Sequence, residues 1–325
     1  MIRRREVIAL LGGAAAAWPF AARGQQSALP LIGYLDSTSP LNQHNVTEFR
    51  KGLNDTGYVE GRNVAIEFRA PERYSDLAAL VTDLVSHRPA VLVGRGLPAA
   101  LAAKRATTVI PIVFFLGGDP VRAGLVTSLS HPSGNLTGVT NLNSPLLAKR
   151  LGLLRELVPS PGVIAVLLNP DNPNAASRLS DLNEAARSVG QEIVLLKAGR
   201  EEDFAGAFAA AATQHATALL IIDDPFLGTR SEQLATLAIS HALPALSFSP
   251  VFAAAGGLAA YAVADGQAYP QMGAYVGRIL NGERPANLPV VQGAKFTLSI
   301  NLKSAKALGI TVPQTLLAIA DEVIE

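Results

Sequence analysis

Residues 90–115, AVLVGRGLPAALAAKRATTVIPIVFF, decide the fold class. They begin with a short apolar run, continue through an alanine-rich segment with helical spacing, and end in a second apolar run at residues 110–115. This pattern predicts a strand, a helix and a second strand. Continuous apolar runs separated by helices are typical of parallel strands that are covered on both faces. The stretch therefore predicts one unit of a parallel α/β sheet.

The same alternation extends along most of the chain. In the first array, further strands are predicted at residues 31–35, 64–68 and 136–140, and helices at 46–56 and 77–85. In a second array, strands are predicted at 163–168, 193–196, 219–222 and 245–248, and helices at 175–189, 204–212 and 234–241. Two consecutive βα arrays of similar size predict two doubly wound lobes that join within residues 138–157.

The C-terminal part departs from this pattern. It predicts a strand at 256–264, a helix at 269–280, a strand at 296–300, and short helices at 304–308 and 314–323. We expect this tail to return to the first lobe and then cross back, which would give three connecting strands and a hinge. The predicted fold is therefore α/β, with two doubly wound parallel-sheet lobes joined by a three-strand hinge. The predicted lobes are residues 26–142 plus 257–288 and residues 143–256 plus 289–325.

The first 25 residues predict a signal peptide. Arg3, Arg4 and Arg5 precede an apolar run at residues 7–17, and small residues follow before Gln25. A basic region, an apolar core and a small-residue exit are the parts of a secretory signal. The apolar run of 11 residues is too short for a membrane span, which needs about 20. The arginine pair also fits the twin-arginine route, so both export routes stay open, with an ordinary N-terminal extension as the alternative.

Composition indicates a globular exported protein of two domains. The chain has 325 residues, of which 49% are hydrophobic and 16% charged. Removing the four arginines and one glutamate of the predicted leader from the 27 basic and 26 acidic residues leaves a net charge of −2. This charge gives no indication of a nucleic-acid partner. The chain has no cysteine, so we expect neither disulfides nor a lipid anchor, and we predict free diffusion in the periplasm, with the signal cleaved near Gln25.

Polar residues collect where the predicted strands end. In an open parallel sheet, ligands bind beyond the carboxyl ends of the strands. Short hydroxyls, amides, carboxylates and glycines at these places can donate to and accept from a small polar ligand. The same residue types also cap helices and turn chains in any α/β protein, so each residue alone has that simpler interpretation. The candidate ligand-binding residues are Asp36, Ser37, Thr38, Arg95, Asp119 and Thr140 in the first lobe, Asn169, Asn174, Asp223, Phe226 and Ser247 in the second, and Tyr261 and Asp265 at the crossover.

A dinucleotide site is a rival interpretation of residues 94–99. They read GRGLPA, follow a predicted strand and open a helix, and Asp119 ends the next strand, roughly where a ribose-binding acid would lie. This favours an exported NAD(P)-dependent oxidoreductase. However, the motif lies on the third βα unit rather than the first, and Pro98 explains the turn as a helix starter.

Other catalytic and metal signatures are missing from the sequence. It contains neither a G-x-S-x-G elbow, nor a phosphate-binding P-loop, nor an H-E-x-x-H pair. The five histidines are scattered, whereas a metal site needs clustered ligands. We therefore expect no catalytic residue, no cofactor and no metal.

Several segments along the chain resemble one family. They are the leader (3–26), FRKGL (49–53), GYVEG (57–61), GDPV (118–121), LNP (168–170), AGGL (255–258), YVGRILNG (275–282), NLK (301–303), ALG (307–309) and ADEVI (320–324). Together they resemble the ABC-transporter substrate-binding proteins of the tryptophan/tyrosine type, whose fold is of the periplasmic-binding-protein type I kind. The resemblance covers essentially the whole chain.

This resemblance implies a monomeric receptor that captures a small solute between its lobes and presents the closed form to a membrane permease. The predicted ligand is an amino acid or a related small carboxylate, possibly aromatic. Asp36 or Asp119 would take its ammonium, and Arg95 or helix N-termini would take its carboxylate. The chain departs from the family pattern by carrying arginine at positions 95 and 122, and both charges favour a ligand with a carboxylate. A ligand sensor of the same fold, without a permease, stays open as an alternative.

Overall fold

The computed structural model describes residues 29–132, 134–141, 144–159, 162–293 and 295–325, so the predicted signal peptide lies outside the described residues. The strands are β1 (Leu31–Asp36), β2 (Ala65–Arg69), β3 (Val91–Arg95), β4 (Ile112–Leu116), β5 (Leu136–Thr140), β6 (Val163–Leu168), β7 (Ile193–Lys197), β8 (Ala216–Ile221), β9 (Ala245–Ser247), β10 (Ala259–Val263), β11 (Val291–Gln292), β12 (Phe296–Asn301) and β13 (Glu322–Ile324). The helices are α1 (Gln43–Asn54), α2 (Leu77–Ser86), α3 (Leu97–Ala106), α4 (Ser144–Leu157), α5 (Ala175–Ser188), α6 (Glu202–Thr213), α7 (Pro225–Thr229), α8 (Ser231–Ser240), α9 (Pro250–Ala254), α10 (Ala268–Leu280), α11 (Leu302–Ala307) and α12 (Gln314–Ile319).

The strands form two sheets, one in each lobe. The first has the order β11-β5-β4-β3-β1-β2, and all its pairs are parallel. The second has the order β13-β12-β10-β9-β8-β6-β7 and is parallel except where β10 pairs with β12. The predicted α/β class with two doubly wound lobes is therefore confirmed.

Helices cover both faces of the first sheet, which explains the uninterrupted apolar runs. Val93 packs in a buried cluster with Phe49 of α1 and Met272 of α10, whereas its neighbour Leu92 packs in another cluster with residues of α2 and α3, such as Val81. Consecutive residues of a strand point to opposite faces. Both faces of β3 are therefore buried, and its carboxyl end is left as the accessible edge.

Three glycines bring α1 and α10 into close contact. A Cβ atom on Gly52 would overlap the carbonyl oxygen of Pro270, and one on Gly273 would overlap the carbonyl oxygen of Phe49. A Cβ atom on Gly277 would overlap the side chain of Thr56, which lies two residues after the end of α1. Small residues allow two helix backbones to approach closely. This contact fixes the start of α10 against the first lobe.

The chain passes between the sheets three times, but two of the predicted crossing points are wrong. The sequence predicts residues 257–288 in the first lobe, yet β10 pairs with β9 in the second sheet, so the chain crosses after Val263. The sequence predicts residues 289–325 in the second lobe, yet β11 pairs with β5 in the first sheet, so the chain crosses back after Gln292. Hydrophobic periodicity shows that a segment is a strand, but pairing partners are decided by tertiary contacts.

The C-terminus also differs from its prediction. The helix predicted at 314–323 ends at Ile319, and β13 then pairs in parallel with β12. Among the described residues, no helix is both long and apolar enough to cross a membrane.

Candidate functional site

A cavity of about 250 Å³ lies between the two lobes. Its first-lobe wall includes the ends of β3 and β4, and its second-lobe wall includes Asp223 and Asp224, which follow β8. Both walls thus contain the carboxyl ends of parallel strands, where open α/β sheets bind ligands.

The first-lobe wall combines a guanidinium group with two aromatic rings. Arg95 donates from Nη1 to Oδ1 of Asp36 over 2.8 Å and from Nε to the hydroxyl oxygen of Tyr269 over 3.3 Å. Asn45 also donates to the Tyr269 hydroxyl, over 2.9 Å. The Tyr269 ring meets Phe115 edge-on, with centroids 5.2 Å apart. This wall therefore offers a charged donor beside an aromatic surface.

Asp36 is engaged within the protein. Burial raises the pKa of its carboxyl, while Arg95 and the backbone and hydroxyl of Thr38 act in the opposite direction. The Thr38 amide donates to Oδ1 over 3.0 Å, so this oxygen is shared with the Arg95 guanidinium. Asp36 thereby holds Arg95 in its orientation at the wall.

The second-lobe wall contains a buried charge cluster. Asp223 lies between two arginines: Arg150 donates from Nη1 to Oδ1 over 3.0 Å, and Nη1 of Arg178 contacts Oδ2. Arg150 is 1% exposed and the other two residues 5%. Burial lowers the pKa of Arg150, and the Asp223 carboxylate opposes this shift. Nη2 of Arg178 also donates 2.8 Å across the interface to the carbonyl oxygen of Gly117 in the first lobe.

Asp224 collects four donors at the start of α7. It accepts from the side-chain amides of Asn169 and Asn172, with a shortest distance of 2.7 Å, and from the Leu227 backbone N–H over 3.0 Å. The fourth donor is the hydroxyl of Tyr74 in the first lobe, at 2.9 Å. Burial raises the pKa of Asp224, and these four donors oppose the rise.

Residues outside the cavity lining also join the two lobes. The Tyr74 hydroxyl also accepts from the Phe226 backbone N–H over 3.3 Å. Elsewhere, Nη1 of Arg122 donates to both carboxylate oxygens of Asp181, over 3.1 and 3.0 Å. Together with the Arg178 contact, these bonds hold the two lobes in direct contact.

The structure distributes the sequence-predicted residues among several places. Three line the cavity, and they are Arg95, Asn174 and Asp223. Four border a smaller groove beside Tyr74, and they are Ser37, Thr38, Asn169 and Phe226. Asp119 borders a separate groove, and its Oδ1 accepts from the Val121 backbone N–H over 2.8 Å.

Other predicted residues have internal structural contacts. The Ser37 hydroxyl donates to the carbonyl oxygen of Arg95, and the Thr140 hydroxyl donates to that of Gly118. The Ser247 hydroxyl oxygen accepts from the Ser249 backbone N–H over 3.3 Å. These contacts fit the simpler interpretation of polar residues at strand ends, since each hydroxyl satisfies a nearby backbone group.

Two of the predicted aromatic residues lie away from the cavity. Phe226 stacks on Phe204 with centroids 5.8 Å apart, and Tyr261 stacks on Phe296 at 6.0 Å. Each ring therefore packs mainly against its own lobe. The side chain of Asp265 lies outside the described residues.

The candidate set taken from the sequence leaves out several cavity residues. They are Asn45, Phe115, Asn172, Arg178, Asp224, Phe248 and Tyr269. One signal was available: Arg178 lies four residues after Asn174, so a helix beginning there puts both on one face. Tyr269 gave no such signal, because it reaches the cavity only through the packing of α10 on α1.

Solved structures share this fold. A conserved domain protein from Vibrio cholerae is 28% identical, with a TM-score of 0.82 over 90% of this chain and 99% of its own. A Streptococcus pneumoniae ABC domain, solved in complex with L-Trp, is 24% identical, with a TM-score of 0.80 over 91% of this chain and 100% of its own. The second likeness shows the fold alone.

A curated relative and a family model complete the comparison. The tyrosine-binding protein of Clostridioides difficile is 37% identical over 112 residues, which span 34% of this chain and only 32% of that protein. The model of the ABC transporter substrate binding proteins matches residues 39–324. This match covers most of the chain, which therefore belongs to the ABC transporter substrate-binding protein family.

Proposed function

We propose that this protein is the exported solute receptor of an ABC importer and that it binds an aromatic amino acid or a related aromatic carboxylate between its lobes. The observation that carries the proposal is a cavity to which both lobes contribute guanidinium groups, from Arg95 and Arg178, and aromatic rings, from Tyr269 and Phe248. A ligand that touches both walls stabilises the closed form over the open one. The tyrosine-binding relative supports this ligand class.

The cavity suits a single small molecule. Ligand pockets usually range from roughly 300 to 1,000 Å³, and this one, at about 250 Å³, lies just below that range. Aromatic rings can cover the apolar part of a ligand, and the edge-on pair of Phe115 and Tyr269 provides such a surface. Charged donors at the strand ends would then orient its polar end.

The proposed transport role depends on closure of the two lobes around the ligand. Residues of both lobes on the outer surface take up a new relative position when the cavity closes, and a permease can recognise that closed form. We propose that the receptor acts as a monomer in the periplasm after its signal peptide is cleaved near Gln25, and that its cavity groups serve recognition rather than catalysis.

Calorimetry tests this proposal. The chain from Gln26 onward is titrated with L-tryptophan, L-tyrosine, L-leucine and NAD. We expect saturable one-to-one binding of an aromatic amino acid, together with a smaller radius of gyration in solution scattering. Binding of NAD without any amino acid would instead favour the exported oxidoreductase and overturn the proposal.

An Arg95 variant tests whether the ligand contacts the first-lobe wall. Replacing Arg95 by alanine removes a charged donor from the first-lobe wall, so we expect at least a tenfold rise in Kd while the circular dichroism spectrum stays the same. Unchanged affinity would remove Arg95 from the set of binding residues.

A further inference from the structure

The Arg178 guanidinium has one donor, Nε, that the described protein groups leave unsatisfied. Its side chain lines the cavity, yet the residue is only 5% exposed. Nε finds no hydrogen-bond acceptor among the described residues, whereas Nη1 contacts the Asp223 carboxylate. A buried donor without an acceptor costs about 1–3 kcal/mol, and more when it is charged. A ligand that supplies acceptors to Arg178 would remove this cost.

The charges around Arg178 point the same way. Asp223 is the shared partner of Arg150 and Arg178, so this cluster of three buried groups contains two positive charges and one negative charge. An uncompensated charge in a buried place is destabilising. A carboxylate on the ligand would balance the cluster, and the planar guanidinium matches a carboxylate with two parallel hydrogen bonds.

The neighbouring carboxylates are already engaged by the protein. Asp224 accepts hydrogen bonds from four donor groups, and Asp36 accepts from Arg95 and Thr38. Asp223 forms ion pairs with both Arg150 and Arg178. An ammonium group on the ligand would compete with these donors at Asp223 and Asp224, and at Asp36 it would share the carboxylate with Arg95.

We propose that Arg178 binds the carboxylate of the ligand and that the ligand's ammonium is dispensable, so that the cavity takes arylalkyl carboxylates as a class. This inference rests on the proposed function. It also explains how a ligand favours closure, because the same guanidinium donates to Gly117 of the first lobe.

Two matched ligand series test the proposal by calorimetry on the wild-type protein. One series is L-tyrosine, 3-(4-hydroxyphenyl)propanoate and tyramine, and the other is L-tryptophan, 3-indolepropanoate and tryptamine. Within a series the ring and chain are constant, and either the ammonium or the carboxylate is removed. In a series whose amino acid binds, we expect the carboxylate analogue to stay within tenfold of the amino acid and the amine to weaken at least 100-fold.

The outcomes separate the two proposals. A carboxylate analogue more than tenfold weaker than its amino acid, or an amine less than 100-fold weaker, overturns the dispensable ammonium but leaves the aromatic receptor intact. If the carboxylate analogue binds where its amino acid does not, the proposal is supported. If no compound of either series binds, the proposed function itself fails.

Two variants test the role of Arg178. We expect Arg178→Gln to weaken the carboxylate analogue at least 30-fold and to leave tyramine or tryptamine binding no weaker than in the wild type. Arg122→Gln, which removes another arginine of the lobe interface, is the control and should keep the wild-type order of affinities. Equal weakening of carboxylate and amine by Arg178→Gln would show a structural role and overturn the assignment. If Arg178→Gln does not fold, the wild-type ligand series still decides the question.

Discussion

Replacing Tyr74 by phenylalanine should weaken ligand binding without touching the cavity lining. The Tyr74 hydroxyl belongs to the first lobe, and it donates to Asp224 over 2.9 Å and accepts from the Phe226 backbone N–H over 3.3 Å, both in the second. Both bonds exist only when the lobes meet. Their loss therefore acts on the closed form, while in an open form water can satisfy the same groups.

The magnitude follows from the kind of bond. A hydrogen bond to a charged group contributes about 1.5–3 kcal/mol. Since each 1.4 kcal/mol is about tenfold in an equilibrium constant, the closing equilibrium should fall by roughly 10- to 100-fold. Where the open form predominates without ligand, the apparent Kd rises by the same factor.

Calorimetry with the best-binding aromatic ligand measures this effect. The matched control is Tyr58→Phe, which removes a hydroxyl that donates 3.1 Å to Asn281 within the first lobe. We expect the control to keep the wild-type Kd. A Tyr74→Phe Kd within threefold of wild type, or an equal loss in the control, would refute the reasoning.

Three further predictions concern packing, protonation and surface charge. Gly273→Ala should destabilise the protein by about 1–3 kcal/mol in urea unfolding, because the added Cβ would overlap a backbone oxygen of α1. The control Gly152→Ala places its Cβ in open space and should be neutral or stabilising. Equal effects of the two substitutions would contradict the packing argument. Burial raises the pKa of Asp224, so the folded protein releases this proton at a higher pH than the unfolded chain, whose carboxyl pKa is about 4. The free energy of unfolding of the wild type, relative to that of Asp224→Asn, should therefore fall as the pH rises from 4 to 7. A relative free energy of urea unfolding that rises with pH would contradict this sign. Arg122→Ala removes a partly exposed ion pair with Asp181, so the ligand Kd should change less than about fivefold, and the change should disappear in 0.5 M salt. A larger change in Kd that does not depend on salt would show that this ion pair controls closure.

Local sequence patterns predicted the repeating part of the fold. Apolar runs such as β6 were located with their observed bounds, because strands buried on both faces contain few polar residues. The two-residue β11 is too short to show any hydrophobic period. The helix predicted at 314–323 overlaps β13, because the three residues Glu322–Ile324 are too few to distinguish the end of a helix from a strand. Such short strands depend on their neighbours in the sheet rather than on their own sequence.

The candidate site was predictable only where it depends on strand ends. Arg95 and Asp223 line the cavity because each follows or ends a parallel strand, which the sequence pattern located. Tyr269 and Arg178 come from helices whose rotation and packing bring them to the cavity, and no local pattern encodes that placement. Asp119 also lies near a strand end, yet its carboxylate accepts bonds from the following backbone.

Neither lobe is encoded by one continuous segment, and this affects how the chain acquires its structure. During synthesis, the first sheet lacks α10 until residue 280 and β11 until Gln292, so the sheet face that packs against Met272 and Val276 lacks this cover until most of the 325 residues exist. A nascent fragment that ends at Asn141 would expose this apolar face to water. Completion of the first lobe therefore depends on prior emergence of nearly the entire second, and folding couples both halves even though each has a core of its own.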